Sequence, residues 1–303
     1  MMLTHGATCI FPSKVFNTKK VLAAVQDEKC NSLYGVPTMF IDLLREADFN
    51  KYDLTSLYTG IMGATSCPIP TLEDVITKMH LKKIVVCYGS TETSPVTFQG
   101  LMDDSIEKRC STIGLPSCHN EVKIVNENDE IVPIGEPGEI CTRGYTTMLG
   151  YWNDPEKTAE VISQTRWYHS GDMAVMDDDG YCKIIGRYKD MIIRGGENIY
   201  PTEIENLLYK LPNIREVQVV GVPDARLGEE VCACIQISEG KECTEQEVKD
   251  YCLQNLSKYK QPRYVIFMDS FPLTPTGKFQ KFKIRKMARE ILKLDETTNQ
   301  YSN

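Results

Sequence analysis

The sequence has 303 residues, of which 42% are apolar and 25% are charged, as in an ordinary globular protein with room for two domains. Its net charge of −8 argues against broad nucleic-acid binding, and no apolar run approaches the ~20 residues that a membrane span needs. The 12 cysteines include no C-x-x-C pair and the four histidines are far apart in the sequence, so no zinc-ligand spacing is found. We interpret the cysteines as reduced thiols that pack as small hydrophobic residues.

Helix and strand signals alternate through the first two thirds of the sequence. Pro37 is typical of a first helical position, and Asp154 followed by Pro155 is typical of an N-cap and first helical residue. Apolar spacing and turn residues predict helices at 19–29, 37–47 and 154–162 and strands at 83–88, 121–125, 139–142, 173–176 and 181–185. This alternation predicts an α/β domain.

The pattern changes after Arg187. Pro201 begins a predicted helix, and Thr244 with Glu247 forms a capping box before another. The predicted elements are helices at 201–211, after 244 and at 284–292, and strands at 215–222, 231–237 and 263–268. These elements suit a compact α+β domain of about a hundred residues.

Five short segments carry side chains suited to binding a nucleotide and an acid. The first, Tyr88-Gly89-Ser90-Thr91-Glu92, follows a predicted buried strand, where open sheets form ligand crevices. Tyr88 can stack on adenine and Gly89 allows close backbone approach. Thr91 can donate to a phosphate, and Glu92 is a hard oxygen ligand suited to Mg²⁺. The structural alternative is a polar turn after a strand.

The second and third segments are WYHSGD, which ends at Asp172, and GRYKD, which contains Arg187. Asp172 can accept hydrogen bonds from both ribose hydroxyls through its two oxygens. Arg187 offers a planar set of donors for ribose or phosphate oxygens. The alternatives are a turn aspartate and a surface ion pair between Arg187 and Asp190.

The fourth and fifth segments are RGGENIYP, with Gly195 and Gly196, and PLTPTGK, which ends at Lys278. Two glycines before a helix permit tight backbone approach to a ligand. A compact ammonium suits bridging a carboxylate and an α-phosphate. The alternatives are a plain loop between domains and a turn with a solvated lysine.

The order of these segments resembles that of the acyl-CoA synthetase, luciferase and peptide-synthetase superfamily, whose members activate carboxylic acids with ATP. The resemblance covers about 85 to 278, and the wording of RGGENIYP, YGSTE and FQKFKIR is most similar to the medium-chain fatty acyl-CoA ligases. It is carried by YGSTE, GEICTRGYTTMLGYW, WYHSGD, GRYKDMIIRGGENIYPTEIE and PLTPTGK, with 34–38 and Gly63-Ala64 resembling segments that line the acyl and adenine pocket.

The resemblance implies ligation of a fatty acid to CoA through an acyl-adenylate, with ATP, Mg²⁺ and CoA as the small molecules. In that reading Lys278, Thr91 and Glu92 serve catalysis, and Glu92 also holds the metal. Adenine would lie on Tyr88 beside Gly89, Gly63 and Ala64, while the ribose would meet Asp172 and Arg187. Gly195 and Gly196 would line the pantetheine tunnel, and Lys189 would be the hinge of a mobile domain. Ser170 stands where many relatives have Thr, which keeps a hydroxyl.

One family segment is not found: residues 1–33 contain nothing like the phosphate loop TSGTTGxPKG. The resemblance therefore implies that 1–188 is the C-terminal part of the AMP-binding domain, an α/β domain that includes a β-barrel-like segment. It also implies that 189–303 is the mobile C-terminal α+β lid of an N-terminally truncated chain. No signal or transit peptide is recognised, so a mitochondrial location is implied by the resemblance alone. Two alternatives remain: an adenylation enzyme that loads a carrier protein, and a non-catalytic binding or regulatory fragment.

Overall fold

A computed structural model describes residues 3–63, 69–274 and 278–294. Its α-helices over these residues are α1 (Thr18–Asp27), α2 (Pro37–Leu44), α3 (Ile69–Lys78), α4 (Ile106–Ser111), α5 (Pro155–Val161), α6 (Pro201–Leu208), α7 (Glu245–Asn255) and α8 (Lys281–Leu292). Its strands are β1 (Ser32–Gly35), β2 (Thr59–Gly63), β3 (Lys83–Tyr88), β4 (Phe98–Gln99), β5 (Leu115–Pro116), β6 (Asn120–Val125), β7 (Gly138–Gly144), β8 (Tyr168–Met176), β9 (Cys182–Arg187), β10 (Ile192–Arg194), β11 (Glu197–Ile199), β12 (Ile214–Asp224), β13 (Gly228–Ile237) and β14 (Tyr264–Phe267). The mixed α/β fold predicted from the sequence is confirmed.

The chain divides into two compact units, each built from separate segments. The first unit holds the chain up to Val122 with Thr142–Arg166 and Asp177–Lys183, and the second holds Lys123–Cys141, Trp167–Met176 and the chain from Ile184 onward. None of the described helices combines the length and apolar composition that a membrane crossing requires.

The first unit contains a five-stranded sheet in the order β1-β2-β3-β4-β5. Strands β1, β2 and β3 are parallel, and β4 and β5 continue the sheet in antiparallel pairs. Parallel neighbours need a crossover, which α2 supplies between β1 and β2 and α3 supplies between β2 and β3. Leu22, Phe40, Leu72 and Ile84 are among the buried residues of the core that these helices and strands share.

The second unit contains a five-stranded sheet in the order β11-β10-β13-β12, in which β14 also pairs with β13. Successive side chains of a strand point to opposite faces, and the core follows that rule. Val217 and Val219 of β12 pack in one buried cluster with α6 and α7 residues, whereas Val220 and Val222 pack in another with α8 residues. This sheet is therefore covered on both faces.

The segment predicted to be barrel-like is an open sheet of four strands in the order β6-β7-β8-β9, whose residues belong to both units. Strands β6 and β9 are the two ends of this order within the described chain, so the barrel expected from the sequence is not closed. Four short strands leave two edges unless a further pairing joins them, and that pairing depends on long-range register that the sequence pattern does not specify.

Candidate functional site

The carboxyl ends of β2 and β3 lie side by side and carry the first group of predicted residues. Gly63 ends β2 and pairs with Cys87, the neighbour of Tyr88 at the end of β3. A Cβ on Gly63 would lie 2.8 Å from both the carbonyl oxygen and the Sγ of Cys87, so this position admits only glycine without rearrangement. Open parallel sheets bind ligands at such an edge. Ala64, the other predicted residue of this segment, is outside the described residues.

Tyr88 and Gly89 are held by the strand and loop that follow. The half-buried Tyr88 ring meets Phe98 edge-on, with centroids 6.0 Å apart. A Cβ on Gly89 would lie 1.7 Å from the Pro95 carbonyl oxygen. The glycine that the sequence assigned to close approach of a ligand thus already serves a close approach within the chain, and its contact with a nucleotide stays a prediction.

A short 3₁₀ turn, Thr91–Thr93, presents Thr91 and Glu92 just beyond β3. Thr91 is exposed and Glu92 is half-buried. The hydroxyl of Tyr151 donates to Glu92 Oε1 at 3.0 Å, and the Met148 N–H donates to the Glu92 carbonyl at 2.8 Å. The GEICTRGYTTMLGYW segment, which served only as a family marker in the sequence, therefore contacts the predicted metal ligand.

Tyr151 is in turn positioned by the start of α5. The Tyr151 N–H donates to Thr158 Oγ1 at 2.9 Å, and that hydroxyl donates to the Asp154 carbonyl at 2.7 Å. Asp154 caps the helix by accepting from the Lys157 N–H at 3.0 Å, as the sequence predicted. Sequence reasoning missed Tyr151 as a functional residue, since its only signal was a tyrosine inside a recognised motif.

Strands β8 and β9 bring Asp172 and Arg187 together. Arg187 Nε donates to Asp172 Oδ1 at 2.9 Å. The side chain of Asp172 is 14% exposed and that of Arg187 is 64% exposed, so the pair presents a guanidinium to solvent. The alternative reading of the sequence paired Arg187 with Asp190, whereas this structure pairs it with the predicted ribose ligand. An ion pair this exposed adds little stability, so its value lies in orienting Asp172.

The turn before Asp172 is held by Glu139 of β7. Glu139 Oε1 accepts from the Gly171 N–H at 2.7 Å, and Oε2 lies 2.9 Å from His169 Nδ1. Gly171 has φ +71°, which favours glycine. Ser170 Oγ donates to a β7 carbonyl at 2.7 Å and accepts from the Asp172 N–H at 3.1 Å. Both bonds need only a hydroxyl, which the serine supplies.

One group of described residues places metal-ligating atoms close together: Asp129, Cys141 and His169 offer atoms within 4.8 Å of one another. Lys123 Nζ already donates to Asp129 at 2.6 Å, and Cys141 Sγ lies 3.3 Å from His169 Nδ1. Burial raises the pKa of the Cys141 thiol to about 12, and the nearby Glu139 carboxylate adds to this rise. Because Lys123 already pairs with the Asp129 carboxylate, whose side chain is 53% exposed, we assign this group no metal.

The 3₁₀ turn Tyr188–Asp190 connects β9 to β10 and contains the predicted hinge residue, the exposed Lys189. The Tyr188 hydroxyl donates to Glu127 Oε1 at 2.5 Å, and this bond raises the pKa of Tyr188 to about 12. The Met191 N–H donates to a β9 carbonyl at 3.0 Å. The residues on both sides of Lys189 are therefore anchored, and its hinge role stays a prediction.

Gly195 and Gly196 form the two-residue turn of the β10–β11 hairpin. Their φ angles are +59° and +88°, and a type I′ turn needs positive φ at both positions. Arg194, just before the turn, donates to both carboxylate oxygens of the buried Glu230 at 2.7 and 2.9 Å. The hairpin accounts for both glycines, and their place in a pantetheine tunnel stays a prediction.

Lys278 is exposed near the end of the loop that precedes α8. Its N–H donates to Thr274 Oγ1 at 3.0 Å, and its carbonyl accepts from the Thr274 N–H at 2.8 Å. The Gln280 N–H donates to the Pro272 carbonyl at 2.9 Å. Residues 275–277 of the motif are outside the described residues. The described ends of the loop are thus bonded to each other, and they present the lysine outward.

The structure gathers one set of the predicted residues at an edge of the first unit: Gly63, Tyr88, Gly89, Thr91 and Glu92. In the second unit Asp172 and Arg187 are paired, while Gly195, Gly196 and Lys278 lie on other loops of that unit.

Comparison with known proteins gives consistent matches. Residues 1–152 match the AMP-binding enzyme family, and residues 203–278 match the AMP-binding enzyme C-terminal domain. The mitochondrial medium-chain acyl-CoA ligase ACSF2 of Rattus norvegicus is 48% identical over 293 residues, which are 96% of this chain and 48% of the relative. Its Danio rerio counterpart is 50% identical over 295 residues, 97% of this chain and 49% of the relative. The anthranilate CoA ligase AuaEII, solved with anthranoyl-AMP, superposes with a TM-score of 0.86 at 30% identity over 95% of this chain and 56% of that chain. The chain spans about half the length of the curated relatives it matches.

Proposed function

The chain belongs to the AMP-binding enzyme family, and we propose that it is part of a fatty acid–CoA ligase. This enzyme activates a medium-chain fatty acid with ATP through an acyl-adenylate. The observation that supports this best is the likeness to proteins named medium-chain acyl-CoA ligases, which extends over nearly the whole chain. The names of the same relatives support a mitochondrial location.

The reaction has two steps with different requirements. In the first, a carboxylate oxygen attacks the α-phosphorus of ATP, the bond to pyrophosphate breaks, and an acyl-adenylate forms. In the second, the deprotonated CoA thiol attacks the acyl carbon, and the bond to AMP breaks. The first step brings two anions together, so it depends on cations and donors fixed beforehand. The second step no longer depends on those cations and donors, and it requires that the CoA thiol can reach the acyl carbon.

Asp172 and Arg187 suit the nucleotide. The carboxylate of Asp172 is mostly buried and is oriented by Arg187, so it can accept from ribose hydroxyls without first losing a full water shell. The exposed guanidinium of Arg187 suits ribose or phosphate oxygens.

Glu92 suits Mg²⁺, since it places a carboxylate on a turn at the ligand edge of the first sheet and Tyr151 orients that carboxylate. A Mg²⁺ ion bound there would neutralise phosphate charge. The exposed Thr91 beside it suits a phosphate oxygen. Lys278 suits the point where the carboxylate meets the α-phosphate, because the loop presents its ammonium outward.

The test separates the two steps. Acid-dependent ATP–pyrophosphate exchange and thioester formation from a supplied medium-chain acyl-adenylate are measured for the 303-residue chain. They are also measured for a chimera that places before it the part of a medium-chain acyl-CoA ligase that this chain does not match. We expect exchange with medium-chain fatty acids by the chimera, and thioester formation on CoA. If the chimera catalyses exchange with none of the fatty acids tested, the proposal is contradicted. Acylation of a carrier protein but not of CoA would support the carrier-loading alternative.

Replacing Lys278 by alanine in the chimera should lower exchange by about 10²-fold or more, since one charge-stabilising donor is lost. Thioester formation from the supplied acyl-adenylate should largely survive. An equal loss in both steps would contradict the assignment of Lys278 to the first step alone.

Replacing Lys189 by proline tests the hinge. Proline fixes φ, and a hinge residue must change its backbone angles between the two steps. We expect exchange to persist while overall ligation fails. Full retention of the ligation rate would exclude a hinge at this residue.

A further inference from the structure

A buried ion pair ties the start of α8 to α6. Lys281 Nζ donates to Glu205 Oε1 at 2.7 Å and lies 3.4 Å from the Val219 carbonyl oxygen. The same Glu205 oxygen accepts from the Val219 N–H at 2.8 Å. Glu205 is 7% exposed, and a carboxylate so buried is costly unless it is paired. The pair therefore fixes three elements, α6, β12 and α8, at one point.

The position of Lys281 is not explained by α8 itself. It is the first residue of the helix, whose first turn contains no acidic residue. The positive end of the helix dipole disfavours a cation there. Lys281 is therefore unfavourable for the start of α8 by itself, and its contacts with Glu205 and the Val219 carbonyl offset that cost.

Lys281 is separated from Lys278 by Phe279 and Gln280. Both of these residues contact the preceding loop. The Phe279 ring meets Phe271 edge-on with centroids 5.6 Å apart. The Gln280 side-chain amide and backbone N–H donate to two carbonyls of the loop at 2.5 and 2.9 Å. These contacts join the start of α8 to the loop segment that carries Lys278.

We propose that Lys281, through Glu205, is a positioning residue that sets where the Lys278 ammonium is presented for adenylate formation. This proposal rests on the proposed function, in which Lys278 serves the first step. Lys281 touches neither substrate nor nucleotide in this account, and its effect passes through the loop.

Helix α6 offers a control. Lys260 Nζ donates to the two carboxylate oxygens of Glu203 at 2.8 and 2.7 Å. The side chains of Lys260 and Lys281 are both 20% exposed. Lys260 lies on the 3₁₀ turn Lys258–Lys260, away from the Lys278 loop in sequence. Lys260→Met thus removes an ion pair to the same helix without altering the start of α8, and the side chain of the carboxylate that it leaves, Glu203, is 45% exposed against 10% for that of Glu205.

The activity test uses the chimera with Lys281→Met, Lys281→Arg and Lys260→Met. We expect Lys281→Met to lower ATP–pyrophosphate exchange by about tenfold, because a small misplacement of a charge-stabilising group is costly. Thioester formation from a supplied acyl-adenylate should stay within about twofold, and Lys281→Arg should recover most of the exchange. Equal losses in both steps, or the same loss in Lys260→Met, would overturn the proposal in favour of a general loss of stability.

A second readout needs no activity and uses the 303-residue chain. Lys281→Met should speed hydrogen exchange of the Lys278 and Gln280 amides by about tenfold, while Lys260→Met leaves them unchanged. Unchanged amides in Lys281→Met would overturn the positioning role. A normal first step in Lys278→Ala would instead contradict the proposed function, so the two failures are distinguishable.

Discussion

Replacing Arg194 by methionine should destabilise the second unit by about 2–3 kcal/mol. Glu230 has a side chain only 2% exposed, and Arg194 gives it two hydrogen bonds at 2.7 and 2.9 Å. Breaking a buried ion pair by removing one partner costs about 3–5 kcal/mol. Two features reduce that cost: the Arg194 side chain is 23% exposed, and Arg263 Nη1 remains 3.5 Å from Glu230 Oε1.

The measurement is native-state hydrogen exchange of buried β12 and β13 amides, which reports opening of this unit rather than of the whole chain. The double variant Arg194→Met/Glu230→Met should recover to within about 1 kcal/mol of the parent, because an apolar pair of similar volume leaves no buried charge. Arg263→Met is the control and should cost less than about 1 kcal/mol, since that side chain is 53% exposed. A single variant as stable as the parent, or a double variant no better than the single, would refute the reasoning.

Three further predictions concern the candidate site and its surroundings. Tyr151→Phe in the chimera should raise the Mg²⁺ concentration needed for half-maximal exchange by roughly 5–30-fold, since Glu92 loses a hydrogen bond worth about 1–2 kcal/mol; an unchanged Mg²⁺ dependence would contradict this. Asp172→Ala should weaken ATP binding in a calorimetric titration and leave acid preference unaltered, whereas unaltered ATP affinity would make Asp172 a turn residue only. At pH 8 iodoacetamide should label the exposed Cys118 but not the buried Cys141, whose pKa of about 12 keeps it a thiol until the solution is far more alkaline. The labelled fractions are measured by mass spectrometry, and equal labelling of the two cysteines would contradict the prediction.

Elements with local start signals could be predicted from the sequence. The Thr244–Glu247 capping box is present, with the Glu247 N–H donating to Thr244 Oγ1 at 3.2 Å and the Thr244 N–H donating to Glu247 Oε2 at 2.7 Å. Helix ends were predicted less well: the helix expected at 19–29 ends at Asp27 and the one expected at 37–47 ends at Leu44. The residues after both ends, Glu28-Lys29 and Arg45-Glu46, are good helix formers, so propensity does not mark the stop, and the path of the following chain decides where the hydrogen bonding ends.

Strand β2 had no usable signal in the sequence. Its residues, TGIMG, show no apolar alternation and include two glycines, which weaken a strand in isolation. The strand exists because parallel neighbours pair with it on both sides. Gly60 is required there, since a Cβ would lie 2.1 Å from the Leu33 carbonyl oxygen. That requirement depends on a contact far away in sequence, which composition cannot reveal.

In the candidate site, too, local features could be predicted from the sequence and long-range contacts could not. Single residues such as Asp172 and Lys278 stand in recognisable motifs, and their local settings were open to prediction. The partners that orient them were not, because Tyr151 reaches Glu92 across 59 positions of the chain. Pairing of this kind depends on the folded path of the backbone rather than on any local pattern.

The segmented build of the two units has a consequence for synthesis on the ribosome. The Lys123–Cys141 segment belongs to the second unit, yet both hydrophobic clusters of that unit are formed by residues from Ile192 onward. At ~5–20 residues per second, the roughly 50 residues between Cys141 and Ile192 take about 3 to 10 s to be added, before the first residue of either cluster is made. The segment has contacts of its own for that interval: Lys123 pairs with Asp129, and Asn126 Oδ1 accepts from two N–H groups of the same turn at 2.9 and 3.0 Å. These bonds are local in sequence, so their formation requires no residue of the two later clusters.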